Sequence, residues 1–132
     1  MRLPDLALPS IQSALNHIID LDEQAATQLA TQHGRCIALA LTGTGIVLYF
    51  VPDEQGHLQL FTHREEAADC TISGSPFDLM RARDKTQATA QLFAGHLQIE
   101  GDTELGHQFS EIVGGLQVDW EEQLAKIMGD SV

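Results

Sequence analysis

Basic residues are scarce in this chain of 132: 7 lysines and arginines stand against 19 aspartates and glutamates, a formal charge of −12. That balance excludes nucleic acid as a direct partner and argues against an anionic membrane, because both demand a net basic surface. Cysteines are also few. Cys36 and Cys70 lie inside apolar strand patterns and read as small buried hydrophobes, not as a disulfide framework. His33 precedes Cys36 by three, yet with His57, His63, His96 and His107 it makes no paired CxxC or HxxxH ligand set. No metal and no cofactor is expected on that ground. No apolar run approaches the roughly 20 residues of a membrane-spanning helix. The first ten residues, MRLPDLALPS, lack the long apolar region and the small-residue cleavage site of a secretory signal. The expected location is cytoplasmic.

Enzyme signatures are missing too. Gly43-Thr44-Gly45 lacks a third glycine and runs into a strand where the dinucleotide fingerprint needs a helix. There is no GxxxxGK[ST] and no GxSxG. The abundant carboxylates sit at helix starts and turns (Asp20, Glu23, Asp102, Glu104, Asp119, Glu122), where free backbone N–H groups already account for them. Arg81, Arg83 and Lys85, with Arg64, form the one basic concentration and read as a solvated helix end. With no convergent catalytic set, the chain is expected not to be an enzyme.

What the chain does have is apolar content, 43% of its residues, enough for one domain with its own core. Pro9 and Ser10 open a helix with Ile11, Leu15, Ile18 and Ile19 on one face. Asp20 and Glu23 stand at capping-box spacing before a second helix that ends near His33, and together they make a helical hairpin over residues 1–33. Its apolar face either docks on the chain's own sheet or joins a second copy in a homo-oligomer. From Arg35 the hydrophobic period becomes two. Strands are expected over 35–41, 46–51, 57–63, 69–73 and 97–100. The short turns between them predict an α+β fold with a five-stranded antiparallel sheet covered by helices. Ser75-Pro76-Phe77-Asp78 opens a well-capped helix, and Gln87–Ala94 continues helical. Asp102 caps a helix carrying Leu105, Phe109, Ile112, Val113 and Leu116, and Asp119 caps a last one after which Gly129 stops the chain's helical content. Ile46–Val51 is hydrophobic on both faces, and Arg35–Leu41 carries a small-residue face at Cys36, Ala38 and Ala40. Close packing and room for an apolar ligand give the same periodicity.

At Phe93-Ala94-Gly95-His96-Leu97-Gln98-Ile99-Glu100-Gly101-Asp102 the chain resembles the sterol carrier protein type 2 domain family. That family carries a G-x-L-x-I-x-G-D strand–turn–helix after a stretch like Cys70-Thr71-Ile72 and a capped helix like Ser75–Arg83. The tail Val118-Asp119-Trp120-Glu121-Glu122-Gln123-Leu124 and the N-terminal hairpin narrow the likeness to the branch that assists ubiquinone biosynthesis in proteobacteria. The resemblance spans essentially all 132 residues. It implies an apolar tunnel between sheet and helices and a non-catalytic role: holding polyprenyl intermediates of ubiquinone within a soluble complex of biosynthetic enzymes. It also implies a C-terminal helix that forms a coiled coil with a small accessory partner, a segment expected beyond Val132 and absent here. Lipid-contacting positions are then expected at Leu39, Leu48, Phe50, Leu60, Ile72 and Ile99 on the strands. Met80, Leu92 and Phe93 are expected to contact the lipid from the helices. The alternative reading is an assembly module of the same complex with a closed core and no lipid.

Overall fold

Helix α1 is longer than its sequence suggests. In a computed structural model of the chain, which describes residues 3–76, 78 and 97–128, it spans Leu3–Asp20 and runs through Pro9 instead of starting there. Pro9 has no N–H for the carbonyl four residues earlier. Leu8, upstream of it, is nevertheless buried, and completes one apolar stripe with Ile11, Leu15 and Ile19 at spacings of three and four. Burying that stripe outweighs one missing hydrogen bond. Ile11, Leu15 and Ile19 are each at most 2% exposed within this chain's own core, and Ile18 packs against it. The stripe therefore docks on its own sheet, and those side chains are not a surface for a second copy.

Asp22 caps helix α2 (Glu23–Ala30), its carboxylate accepting the Ala25 N–H at 3.1 Å. The capping box expected from Asp20 does not form. Asp20 instead accepts from His57 Nε2 at 2.6 Å, tying the end of α1 to the turn before the third strand.

Five strands follow: β1 (Ile37–Leu41), β2 (Ile46–Pro52), β3 (Leu58–Phe61), β4 (Cys70–Gly74) and β5 (Gln98–Gly101). Their order across the sheet is β3-β2-β1-β4-β5. Three of the pairings are antiparallel, but that of β1 with β4 is parallel, so the sheet is mixed and not wholly antiparallel. The cause is the short third strand. Phe61 ends β3 level with Tyr49 and Ala38, close to where β1 begins. Residues 62–69 then cross three strand spacings, about 14 Å, well within the roughly 26 Å that eight residues can reach. The chain arrives beside the start of β1 and runs the same way. Short connections were expected to mean adjacent antiparallel neighbours; this one is a crossing.

Pro52 fits at the end of β2 because it stands opposite Leu58, whose N–H points outward to α1, while the Pro52 carbonyl accepts from Gly34 N–H at 3.0 Å. Two glycines are required by close approach. Gly56 has φ +85°, and a Cβ there would collide with the Ala26 carbonyl of α2; Gly101 has φ +84°, and its Cβ would lie 2.6 Å from the Asp69 carbonyl.

Asp102 caps helix α3 (Thr103–Gly114) by accepting the Leu105 N–H at 3.0 Å, as its position after a strand and turn predicts. Asp119 does the same for α4 (Trp120–Met128), accepting the Glu122 N–H at 3.1 Å. Helix α4 packs on α1, and α3 lies over β4 and β5 beside α2. Ser75 and Asp78 make the expected start of a further helix, the Ser75 hydroxyl accepting the Asp78 N–H at 3.1 Å. The remaining positions expected in that helix and the Gln87–Ala94 segment lie outside the described residues.

Candidate functional site

Strand register sorts the sheet into two unlike faces. On one, Leu58 and Leu60 of β3, Ile46, Leu48, Phe50 and Pro52 of β2, Ile37, Leu39 and Leu41 of β1, Cys70 and Ile72 of β4, and Ile99 of β5 stand in rows across the strands. Helices α1, α2 and α3 close over this face, and Phe50 meets Phe109 of α3 with ring centroids 5.5 Å apart. The other face carries Ala38, Ala40, Val47, Tyr49, Val51, Thr71 and Ser73, mostly half-buried, with Phe61 exposed at its margin. Ala38 and Ala40 thus look away from the described helices, and the space they leave lies across the sheet from the six expected strand positions.

All six expected strand positions lie on the helix-covered face. They differ in how tightly it is shut. Leu48, Phe50, Leu60 and Ile72 are sealed, at 2–7% exposure, while Leu39 and Ile99 remain partly open. The row Leu48–Leu39–Ile72–Ile99 crosses four strands in register, and the next row along holds Ile46, also partly open, beside the buried Leu41. In the opposite direction the row Leu60–Phe50–Ile37–Cys70 is fully closed. Openness therefore rises toward the end of the sheet where β4 finishes and β5 starts. Ile112 and Val113 of α3 are likewise only partly buried against the same core. Met80, Leu92 and Phe93 belong to the chain between those two strand ends and lie outside the described residues. Ile46, Ile112 and Val113 are not among the lipid positions expected from the sequence, since a helical or alternating period marks them as core and says nothing about how far the layer closes.

The closed end of the sheet is fastened by charge. Arg35 donates to Asp102 Oδ2 at 2.8 Å and lies 3.5 Å from Asp69, so one guanidinium joins the starts of β1, β4 and α3. Asp69 also accepts the Cys36 N–H at 2.7 Å. The Leu105 N–H and then Arg35 hold the Asp102 carboxyl below its usual range, and Asp102 in turn raises Arg35. Both carboxylates are taken up in this fastening. The thiols sit on either side of the sheet: burial pushes Cys70 up to about 11 and raises Cys36, which lies beside the Arg64 guanidinium. Burial favours the neutral thiol at both positions, the opposite of the electropositive setting that activates a cysteine. Among the described residues no group of three or more His, Cys, Asp or Glu is placed to hold a metal, and no helix is long and apolar enough to cross a membrane.

Comparison with known proteins puts this architecture in context. The model of the SCP-2 sterol transfer family matches residues 15–114. The ubiquinone biosynthesis accessory factor UbiJ of Escherichia coli (strain K12) is 25% identical over 130 residues, covering 98% of this chain and 64% of that protein. UbiJ of Salmonella typhimurium is 24% identical over the same coverage. The chain therefore spans 64% of the length of the curated relatives it matches. Among solved structures, the UbiJ-SCP2 ubiquinone synthesis protein superposes with a TM-score of 0.75 at 24% identity, over 86% of this chain and 93% of that one. The apo form of sterol carrier protein 2 from Yarrowia lipolytica gives 0.50 at 14% identity, over 82% and 91%. Both show the fold.

Proposed function

This chain belongs to the SCP-2 sterol transfer family, and from that premise we propose that it is a non-catalytic lipid carrier of ubiquinone biosynthesis. In this reading it holds polyprenyl intermediates in a soluble complex and presents their heads to the biosynthetic enzymes. The observation that carries the reading is the graded opening of the helix-covered face. Leu39, Ile46 and Ile99 are partly exposed in a layer whose other rows are shut. Half-covered branched aliphatic side chains in register are what an apolar chain would complete. Each CH₂ withdrawn from water contributes ~0.8 kcal/mol, so even a few isoprene units laid along this row stabilise a complex with an otherwise insoluble tail. The likeness to UbiJ supports ubiquinone precursors as the lipid and the enzymes of that pathway as partners.

The sealed state of Leu48, Phe50, Leu60 and Ile72 favours a second reading, an assembly module with a closed core. Native mass spectrometry of freshly purified protein, followed by lipid extraction, separates the two. A carrier shows added mass that extracts as prenylated aromatic lipid. Bare protein whose melting temperature is also unmoved by a short-chain ubiquinone overturns the carrier reading.

A further inference from the structure

The two edges of the sheet are finished differently. At the β3 edge, Gln12 and Asn16 of α1 take up the outward backbone groups. At the β5 edge no side chain stands in that place among the described residues, and Gln98, Glu100 and Gly101 are exposed. Register decides which groups this edge offers. The Thr42 N–H donates to the Gly74 carbonyl at 2.9 Å, so Gly74 and Ile72 bond toward β1, while Thr71 and Ser73 bond toward β5. Their partners Glu100 and Gln98 therefore bond inward, as does Asp102, whose N–H donates to the Asp69 carbonyl at 2.9 Å. Ile99, between them, turns its N–H and C=O outward, and such an edge is a template for another strand.

The order of side chains along the edge points to what fits it. An antiparallel copy of the same edge, related by a two-fold axis at Ile99, exchanges both backbone hydrogen bonds between the two Ile99 residues. It sets Gln98 directly opposite Glu100 of the second copy, twice over, so an amide donor meets a carboxylate acceptor. A shift that brings Ile99 opposite Gly101 would set Glu100 against Glu100, which disfavours that register. We propose that β5 pairs with β5 of a second copy of this chain to form one ten-stranded sheet. The partly open Ile99 side chain lies on the helix-covered face, and directly opposed residues of an antiparallel pair share a face. The row Leu48–Leu39–Ile72–Ile99 then continues into its own image. It crosses eight strands and about 34 Å, where one copy gives about 14 Å. For a carrier, and on that reading alone, this is room for a tail longer than one copy spans.

Sedimentation of lipid-free protein over a concentration series tests the pairing. A monomer–dimer equilibrium is expected, tighter at high salt because copies of formal charge −12 repel each other. Gln98→Glu sets carboxylate against carboxylate and should weaken the dimer at least fivefold. Adding Glu100→Gln to that variant exchanges the two sides of the pair and should restore affinity to within twofold of the parent. Gln59→Glu adds the same charge at an exposed site on β3 and should change affinity less than twofold. Amide hydrogen exchange gives the place, since the Ile99 N–H should slow as the dimer fills. Five results overturn the proposal: a monomer at millimolar concentration, a dimer indifferent to Gln98→Glu, equal weakening by Gln59→Glu, no rescue by the double variant, or Ile99 exchange that ignores concentration. Dimerisation is read without lipid, so it and the carrier reading fail separately.

Discussion

Asn16 of α1 holds Leu58 of β3 with both ends of its amide: Oδ1 accepts the Leu58 N–H at 2.7 Å, and Nδ2 donates to the Leu58 carbonyl at 3.0 Å. One turn earlier, Gln12 Oε1 accepts the Leu60 N–H at 2.9 Å. Two amide side chains thus stand where a further strand would, and they satisfy the outer edge of the sheet. An unpaired edge is a template for association, and here a helix closes it while burying its own apolar stripe.

Replacing Asn16 by Leu keeps the size of the side chain but strands two partly buried backbone groups of β3. The expected loss is about 2 kcal/mol, or roughly 5–10 °C in melting temperature for a domain of this size. Static light scattering should also show slow association, since the edge is reopened. A melting curve within 1–2 °C of the parent would mean that water replaces the amide without penalty.

Gly56→Ala and Gly43→Ala separate packing from backbone strain. Both glycines have positive φ, +85° and +87°, but a Cβ at Gly43 meets open space whereas one at Gly56 runs into Ala26. Gly43→Ala should cost ~1 kcal/mol, the left-handed penalty alone. Gly56→Ala should cost at least twice that, because α2 must move away from the turn. Equal losses on chemical denaturation would refute the close approach.

The ion pair between His57 and Asp20 makes stability depend on pH. Asp20 raises His57 above its ordinary value of 6.5, chiefly through their hydrogen bond. The folded chain therefore binds this proton more tightly than the unfolded chain does. The contribution is whole below pH ~6.5 and fades as pH rises through the folded value. The parent should exceed His57→Gln in melting temperature most at pH 5.5 and least at pH 9. The gap should shrink in high salt, because the pair is solvent-exposed. A gap that widens toward pH 9 would contradict the assignment.

Leu39→Phe probes the open row directly. Leu39 is only partly buried between Leu48 and Ile72, so a ring there extends into space left by the layer and should change stability by less than about 1 kcal/mol. Ala38→Phe, at a site 3% exposed on the opposite face, should cost about 1–3 kcal/mol by overpacking. Only the first should reduce co-purified prenyl lipid, to less than half the parent level on extraction. Lipid retention lowered by Ala38→Phe and untouched by Leu39→Phe would place the ligand on the other face.

Much of this fold is legible in the chain. The alternation of Leu97–Glu100 followed by Asp102 marks β5 and the capped start of α3, because a strand, a positive-φ glycine and a helix cap each leave a local signature. The stripe of α1 is equally visible, but its destination is not. Ile11, Leu15 and Ile19 would read the same whether buried on their own sheet or against a second copy. Non-local relations left no trace. Gln12 and Asn16 look like ordinary polar helix residues until β3 is placed beside them. The parallel pairing of β1 with β4 depends on where an eight-residue crossing lands. The difference between Leu48 and Leu39 is one of closure, and hydrophobic period carries no information about closure.

The parallel pair has a consequence for the newborn chain. Strand β1 is central in the finished sheet, yet β1, β2 and β3 are all synthesised before β4 exists. Until residues 62–74 follow, on the order of a second at ~5–20 residues per second, the inner side of β1 is a bare edge with apolar residues on the strand behind it. The side that the finished protein protects best is therefore the one its unfinished form leaves open. Mispairing during synthesis is therefore expected at Ile37–Leu41 before it is expected at the outer strand, which α1, already made, can cover at once.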